Sequence, residues 1–240
     1  MSLFLPIRIH PEGWRFIVIF AVLSVVIFYV AEPLGWIGLI LTGWCAYFFR
    51  NPKRITPTQG GLIVSPADGI VCAITTMPPP AELDMGKAPH LRISIFLNVF
   101  DVHVNRIAIG GKIVKSVYSP GHFLNAASHK ASDHNERQSL VIETTNHTKV
   151  AFVQIAGLIA RRIVCNVKQG DTVETGAVYG LIRFGSRMDI YLPEGINPLI
   201  IEGQRMIAGE SVIADLNAKA MPKKVLREGT KNDCTSRKQE

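Results

Sequence analysis

One peptide bond in this chain has neighbours suited to covalent chemistry. Gly185-Ser186 sits in Leu181-Ile182-Arg183-Phe184-Gly185-Ser186-Arg187-Met188-Asp189, between two arginines and after a glycine-punctuated β pattern. A serine hydroxyl beside a strained peptide bond can attack the carbonyl before it and turn the amide into an ester. β-Elimination then frees the upstream piece and leaves dehydroalanine, which hydrolyses to a keto group at the new chain start. Glycine on the acyl side tolerates strained backbone angles and leaves the carbonyl open to attack. The product ketone, conjugated to an amide carbonyl, can condense with a primary amine and act as an electron sink, a role pyridoxal phosphate plays elsewhere. In most proteins a Gly-Ser pair is only a turn, and spacing alone does not choose between the two readings.

Other residues have chemistry of the right kind. A histidine titrates close to working pH and suits proton transfer. His103 lies in an alternating segment, where by itself it reads as a core histidine, and His122 opens a polar stretch, His122 to Arg137, too long for a simple turn. The remaining five (His10, His90, His129, His134, His147) read as surface residues. Asp68 stands in an Asp-Gly corner, where an Asx-turn is the ordinary role. Arg161, Arg162 and Arg187 suit bidentate contacts to a carboxylate or phosphate, or pairing with acids such as Asp189. The cysteines (Cys45, Cys72, Cys165, Cys234) are scattered and form no CxxC pair, which disfavours a zinc site or a disulfide framework and fits a reducing cytosol.

These residues need elements to position them. The chain has 240 residues and can bury a sizeable core. Its apolar character is concentrated near the N-terminus, where Phe16 to Ala31 and Pro33 to Phe49 carry no charge and Glu32-Pro33 separates them. Arg8 and Arg15 precede the first run, and Arg50, Lys53 and Arg54 follow the second. Positive charge at both ends places both on the cytoplasmic side of a membrane. The pattern predicts an apolar helical hairpin over residues 1–54 that spans twice or dips in and returns; a buried soluble helix pair is the plainer alternative. The net charge of +7 belongs to this hairpin (+3) and to residues 217–240 (+4), while residues 55–216 hold fourteen basic and fourteen acidic residues. That distribution fits an anionic lipid surface rather than nucleic acid, and predicts a loose basic tail over 217–240.

Residues 55–216 read as β. Short β-branched runs such as Leu62–Val64, Gly69–Ile74, Leu91–Leu97, Ser139–Glu143 and Val150–Ile155 are bounded by turn residues. Met77 to Pro89, with three successive prolines, reads as an exposed loop, and Ile159 to Cys165 carries a weak helical period. Val167 to Gly180 has the Gly-Asp-x-Val-x-x-Gly pattern of biotinyl and lipoyl hairpins, echoed at Gly203 to Leu216 and more loosely at Gly60 to Val71. The predicted body is a mainly β barrel-sandwich with short strands.

Six ordered blocks give the chain a resemblance: Phe48-Phe49-Arg50-Asn51-Pro52-Lys53-Arg54, Ser65-Pro66-Ala67-Asp68-Gly69, Asn98-Val99-Phe100-Asp101-Val102-His103-Val104-Asn105-Arg106, Asn135-Glu136-Arg137-Gln138, Gln154-Ile155-Ala156-Gly157 through Ala160-Arg161-Arg162-Ile163-Val164, and Phe184-Gly185-Ser186-Arg187-Met188-Asp189. From about Pro11 to Leu216 it resembles the short-form phosphatidylserine decarboxylases. The resemblance implies self-cleavage at Gly185-Ser186, a β chain ending at Gly185, and an α chain that starts with a pyruvoyl group made from Ser186. It implies that Asp68 belongs to the self-processing machinery and that His103 matches the first histidine of the long-form block Asp-Tyr-His-Arg-x-His. Arg106 stands where that block has its second histidine, so the base for cleavage falls to His103 or to His122. It also implies a phospholipid substrate, phosphatidylserine, taken from an anionic membrane surface on the cytoplasmic face. The oligomeric state is left open, a homo-oligomer included.

Three other readings compete. A membrane-anchored biotinyl or lipoyl carrier would show a lysine at the hairpin tip, where this chain has Gly185-Ser186. A membrane zinc peptidase would need histidine ligands near the hairpin, and residues 148–240 contain none. A pyruvoyl decarboxylase of a soluble amino acid would have no use for the apolar hairpin.

Overall fold

The computed structural model describes residues 8–121, 135–157, 162–183 and 185–218. Two apolar helices come first, α1 (Pro11–Val30) and α2 (Glu32–Phe48). Pro11 and Pro33 fall in the first turns, where a missing N–H costs nothing. His10 caps α1: its Nδ1 accepts from Glu12 N at 3.3 Å, and the residue is buried rather than at the surface as its sequence setting implied. The helices touch through small and hydroxylated residues. Ser24 Oγ lies 3.3 Å from Thr42 Oγ1, and a methyl group on Gly38 would meet that Ser24 oxygen at 2.6 Å. Small side chains that admit close backbone approach are the usual interface of helices in lipid. The outer faces remain apolar and exposed, from Trp14 to Val30 and from Leu34 to Tyr47. At 20 residues α1 is long and apolar enough to cross a membrane.

The rest is mainly β, as the short β-branched runs predicted. Most strands join one curled antiparallel sheet of eight, in the order β12 (Arg205–Met206), β2 (Gly69–Met77), β3 (His90–Leu97), β11 (Ser186–Leu192), β7 (Lys149–Ala156), β6 (Arg137–Glu143), β5 (Gly111–Ser119), β9 (Thr172–Val173). A three-stranded sheet, β4 (Val104–Arg106), β10 (Val178–Ile182) and β8 (Ile163–Cys165), and the pair β1 (Leu62–Val64) with β13 (Val212–Asp215) complete it. The two outer glycine-bounded echoes interlock: β2 pairs with β12 and β1 with β13. The middle one does not close on itself. Its β10 pairs with β8 and β4, while β9 leaves to pair with β5.

Two sequence expectations need correction. The stretch from Met77 to Pro89 is not simply an exposed loop. A 3₁₀ turn at Ala81–Leu83 buries Leu83 against Val141, Val153 and Tyr191, on the outer face of the large sheet. The weak helical period near Ile159 does not make a helix at its end, since Ile163–Cys165 is β8. Three β-branched or small residues there gain more from pairing with β10 than from a short isolated turn of helix.

The core fills the inner face of the large sheet, with Ile93, Ile95, Leu140, Phe152, Met188 and Ile190 among its members. The hairpin base docks beside the small sheet, where Phe48, Phe49 and Cys45 pack on Leu181, and Arg183 reaches Glu12 at 2.8 Å.

Candidate active site

Strand β11 is buried at every position yet carries Ser186, Arg187 and Asp189. A central strand covered on both faces is normally apolar throughout, so its polar residues need a reason. Ser186 opens the strand, opposite Leu97 of β3 and Ala156 of β7. Alternation puts it on the inner face with Met188 and Ile190. It is 0% exposed, and its Oγ has no hydrogen-bond partner among the described residues. Gly185, just before it, has φ +63°, in the left-handed region that favours glycine, although a Cβ there would meet nothing within 4 Å among the described residues. Glycine is required at this position by the turn of the backbone, not by crowding.

His103 is the residue held against this peptide. Gly185 N–H donates to His103 Nε2 at 3.2 Å. A ring nitrogen that accepts is unprotonated, so the proton is on Nδ1, which donates to the Asp101 carbonyl at 3.0 Å. The ring lies 4.3 Å from that of Phe48 at the end of α2 and is 1% exposed. Burial pushes its pKa down to about 4, with Arg50 adding to the effect and the Asp101 carbonyl opposing it. At neutral pH it is an uncharged base whose lone pair points at Gly185.

The loop that carries His103 is tied down on three sides. Asp101 Oδ2 accepts from Asn98 N at 2.9 Å, Asp101 Oδ1 takes Arg205 at 2.5 Å, and Arg50 Nη2 donates to the Phe100 carbonyl at 2.7 Å. Arg50 follows α2, so the hairpin and the histidine loop are joined directly.

Asp68 is placed differently. Its Oδ2 takes Arg54 at 2.6 Å and its Oδ1 accepts from Ala208 N at 2.7 Å, so both oxygens are engaged away from His103. Burial raises its pKa, against the opposing pull of the Ala208 N–H and Arg54. Arg106 fixes the chain after the hairpin, donating to the Gly176 and Pro52 carbonyls and to Asn51 Oδ1. It is a backbone clamp with no lone pair to offer. Of the other sequence candidates, Arg162 is exposed, while His122 and Arg161 lie outside the described residues.

Arg187 points to the outer face of the sheet and pairs with Asp189 there, Nε to Oδ1 at 2.9 Å and Nη2 to Oδ2 at 3.1 Å, both residues buried. Breaking such a pair leaves a buried charge without its counter-charge. Asp189→Ala is therefore expected to cost about 3–5 kcal/mol in denaturant unfolding. The apolar pair Arg187→Met with Asp189→Leu should recover most of it.

Sequence reasoning did not single out Asp101, Phe48, Arg50, Asn105 or Gln154 for roles at this site. One signal was available: Gln154 interrupts an otherwise apolar run in β7, and its Nε2 donates to Asn105 Oδ1 at 2.9 Å across the layer between the two sheets.

The site thus sets a buried serine hydroxyl, without a partner among the described residues, next to a left-handed glycine whose N–H meets a neutral histidine. Comparison with known proteins gives the class. The family described as phosphatidylserine decarboxylase matches residues 41–214. Proteins named phosphatidylserine decarboxylase proenzyme are similar to this chain. That of Cereibacter sphaeroides is 56% identical over 87% of this chain and 90% of its own length. Those of Nitrobacter winogradskyi (56%, 86% and 84%) and Ruegeria pomeroyi (57%, 86% and 94%) match equally well. The chain belongs to the phosphatidylserine decarboxylase family, and it is an enzyme, a decarboxylase.

Proposed function

We propose that this chain is the precursor of a pyruvoyl-dependent enzyme that decarboxylates phosphatidylserine to phosphatidylethanolamine, and that it cuts itself at Gly185-Ser186. The observation that carries the reading is the neutral His103 Nε2 held 3.2 Å from the N–H of Gly185, the residue before the buried Ser186. Nε2 takes the hydroxyl proton as Ser186 Oγ bonds to the Gly185 carbonyl carbon. The peptide C–N bond breaks, the proton passes to the departing nitrogen, and an ester remains. Loss of the Ser186 α-proton with the Gly185 carboxylate leaves dehydroalanine, and water then releases ammonia and leaves the ketone.

The residues present fit a pyruvoyl group at position 186. The space at Gly185 is open, Ser186 is dry, and Leu97 and Ala156 hold it in the strand on both sides. The group would supply an electrophilic carbonyl and a sink for the electrons left when CO2 departs. His103 would do the proton work. A lipid amine arrives protonated and must lose a proton before it can react. That proton is lost to water, and Nε2 would relay a proton to the α-carbon once CO2 has left. The cut would not separate the pieces, because β11 of the α chain stays paired with β3 and β7 of the β chain.

The hairpin (residues 1–54) would seat the catalytic body (residues 55–216) on the cytoplasmic face of the membrane, with its basic ends and the basic tail (residues 217–240) toward anionic lipid. Arg50 links that seat to the His103 loop, which would set the site at the head-group plane. On a denaturing gel the mature protein is expected to give pieces of about 20 and 6 kDa, from 26.4 kDa over 240 residues. The smaller should start with pyruvoyl by mass. A decarboxylating preparation that stays in one piece would sink the proposal.

A further inference from the structure

Two amides in the layer between the small and large sheets have so far been given no task. Gln154 lies on the face of β7 that carries Ala156, the cross-strand partner of Ser186, so it is one diagonal step from the serine. Asn105 is on β4, two residues beyond His103. Both are 0% exposed. Gln154 Nε2 donates to Asn105 Oδ1, and the pair's two remaining atoms, Asn105 Nδ2 and Gln154 Oε1, have no hydrogen-bond partner among the described residues. Turning both amides over exchanges donor and acceptor but leaves the same remainder, one NH2 and one C=O. Buried amide groups left unpaired cost stability, and an apolar pair of the same shape would not carry that cost. Such groups are kept where something else uses them. Ser186 Oγ is a third polar atom on this face without a partner among the described residues.

We propose that Asn105 and Gln154 form the subsite for the α-amino-acid end of the lipid head group, with its amine on the amide carbonyl and its carboxylate on the amide NH2. The inference rests on reading Ser186 as the reacting residue. An amino acid offers one donor and one acceptor on adjacent bonds, which complements the amide remainder. A phosphate offers only acceptors and would face the amide carbonyl unfavourably. A neutral amide also suits the reaction. It orients the carboxylate without a counter-charge that would hold back the electrons leaving with the C–C bond. The nearby guanidinium groups have other engagements: Arg187 on Asp189 across the sheet, Arg106 on backbone carbonyls, Arg183 on Glu12.

The test is the double variant Asn105→Leu with Gln154→Met, which removes both polar groups at similar volume and is expected to fold. It should still split into two pieces, with pyruvoyl on the smaller. Its KM for phosphatidylserine in mixed micelles should rise about tenfold or more. Borohydride trapping of the lipid on the smaller piece, read by mass, should fall with it. Glycerophosphoserine should compete in the wild type, glycerophosphate should not, and the double variant should lose the difference. Wild-type KM and trapping in the double variant would reduce the amides to packing and overturn the proposal. A double variant that folds but never splits would assign them to self-cleavage and overturn it too. A wild-type chain that never splits would remove the reading of Ser186 beneath it, a failure visible without any variant.

Discussion

Ser186→Ala is expected to leave the chain in one piece of about 26 kDa and to abolish decarboxylation, a loss of at least about 10⁶-fold, the lower end of enzymatic rate enhancement. In the proposed mechanism the hydroxyl is the only atom of that side chain able to attack Gly185, and its carbon frame would be the source of the carbonyl on which the activity depends. The same substitution should not harm the fold. Ser186 Oγ is buried and has no partner among the described residues. A buried hydroxyl without a hydrogen bond costs about 1–3 kcal/mol, so its removal should leave the precursor as stable as the wild-type precursor or more so. Function and stability then move in opposite directions at one atom, as expected where an active site holds a group that packing alone would not choose. The measurements are a denaturing gel, CO2 release from phosphatidylserine, and denaturant unfolding of the uncut chain. A Ser186→Ala chain that still split and still released CO2 would end the account; one that failed to fold would show that Oγ has a structural task.

The parts of this molecule legible in its sequence are those set by local composition. Two uncharged runs with a Glu-Pro break become α1 and α2, and the β-branched runs become β2, β3, β6 and β7 within a few residues. Ser186 stood out through the six-block resemblance, since a Gly-Ser pair by itself is ordinarily a turn. What the sequence did not show depends on partners far along the chain. Strands β9 and β12, of two residues each, exist only because β5 and β2 offer edges to them. Leu83 is buried because Val141 and Tyr191 lie beneath it, which a proline-rich stretch does not announce. Asp101 sat inside a recognised block, yet its tie to His103 runs through its backbone carbonyl, which every residue has. Arg106 looked like a lost histidine. It instead clamps Gly176 and Pro52, more than 50 residues away in both directions.

The second large effect concerns His103. His103→Gln should slow self-cleavage by about 10²–10⁴-fold, the usual worth of a positioned general base. Glutamine keeps a polar end near Gly185 N but has no basic nitrogen. The pH dependence gives a sharper check. With its folded pKa lowered to about 4, Nε2 keeps its lone pair across neutral and mildly acidic pH and loses it only as pH falls through about 4. Cleavage by the wild-type chain should therefore be level with respect to this group from about pH 6 to 8 and fall steeply only near pH 4. A histidine with its ordinary pKa of about 6.5 would already fail at pH 6. Stability follows the same logic. Between about pH 4 and 6.5 the unfolded chain binds a proton at this residue and the folded chain does not. Folding thus weakens as pH falls through that window, by up to about 1.4 kcal/mol per pH unit, and His103→Gln should lack that share. Cleavage that declined with a midpoint near 6.5, together with no change in the pH slope of unfolding for His103→Gln, would place the working base on another residue. His122 would then be the first candidate for substitution.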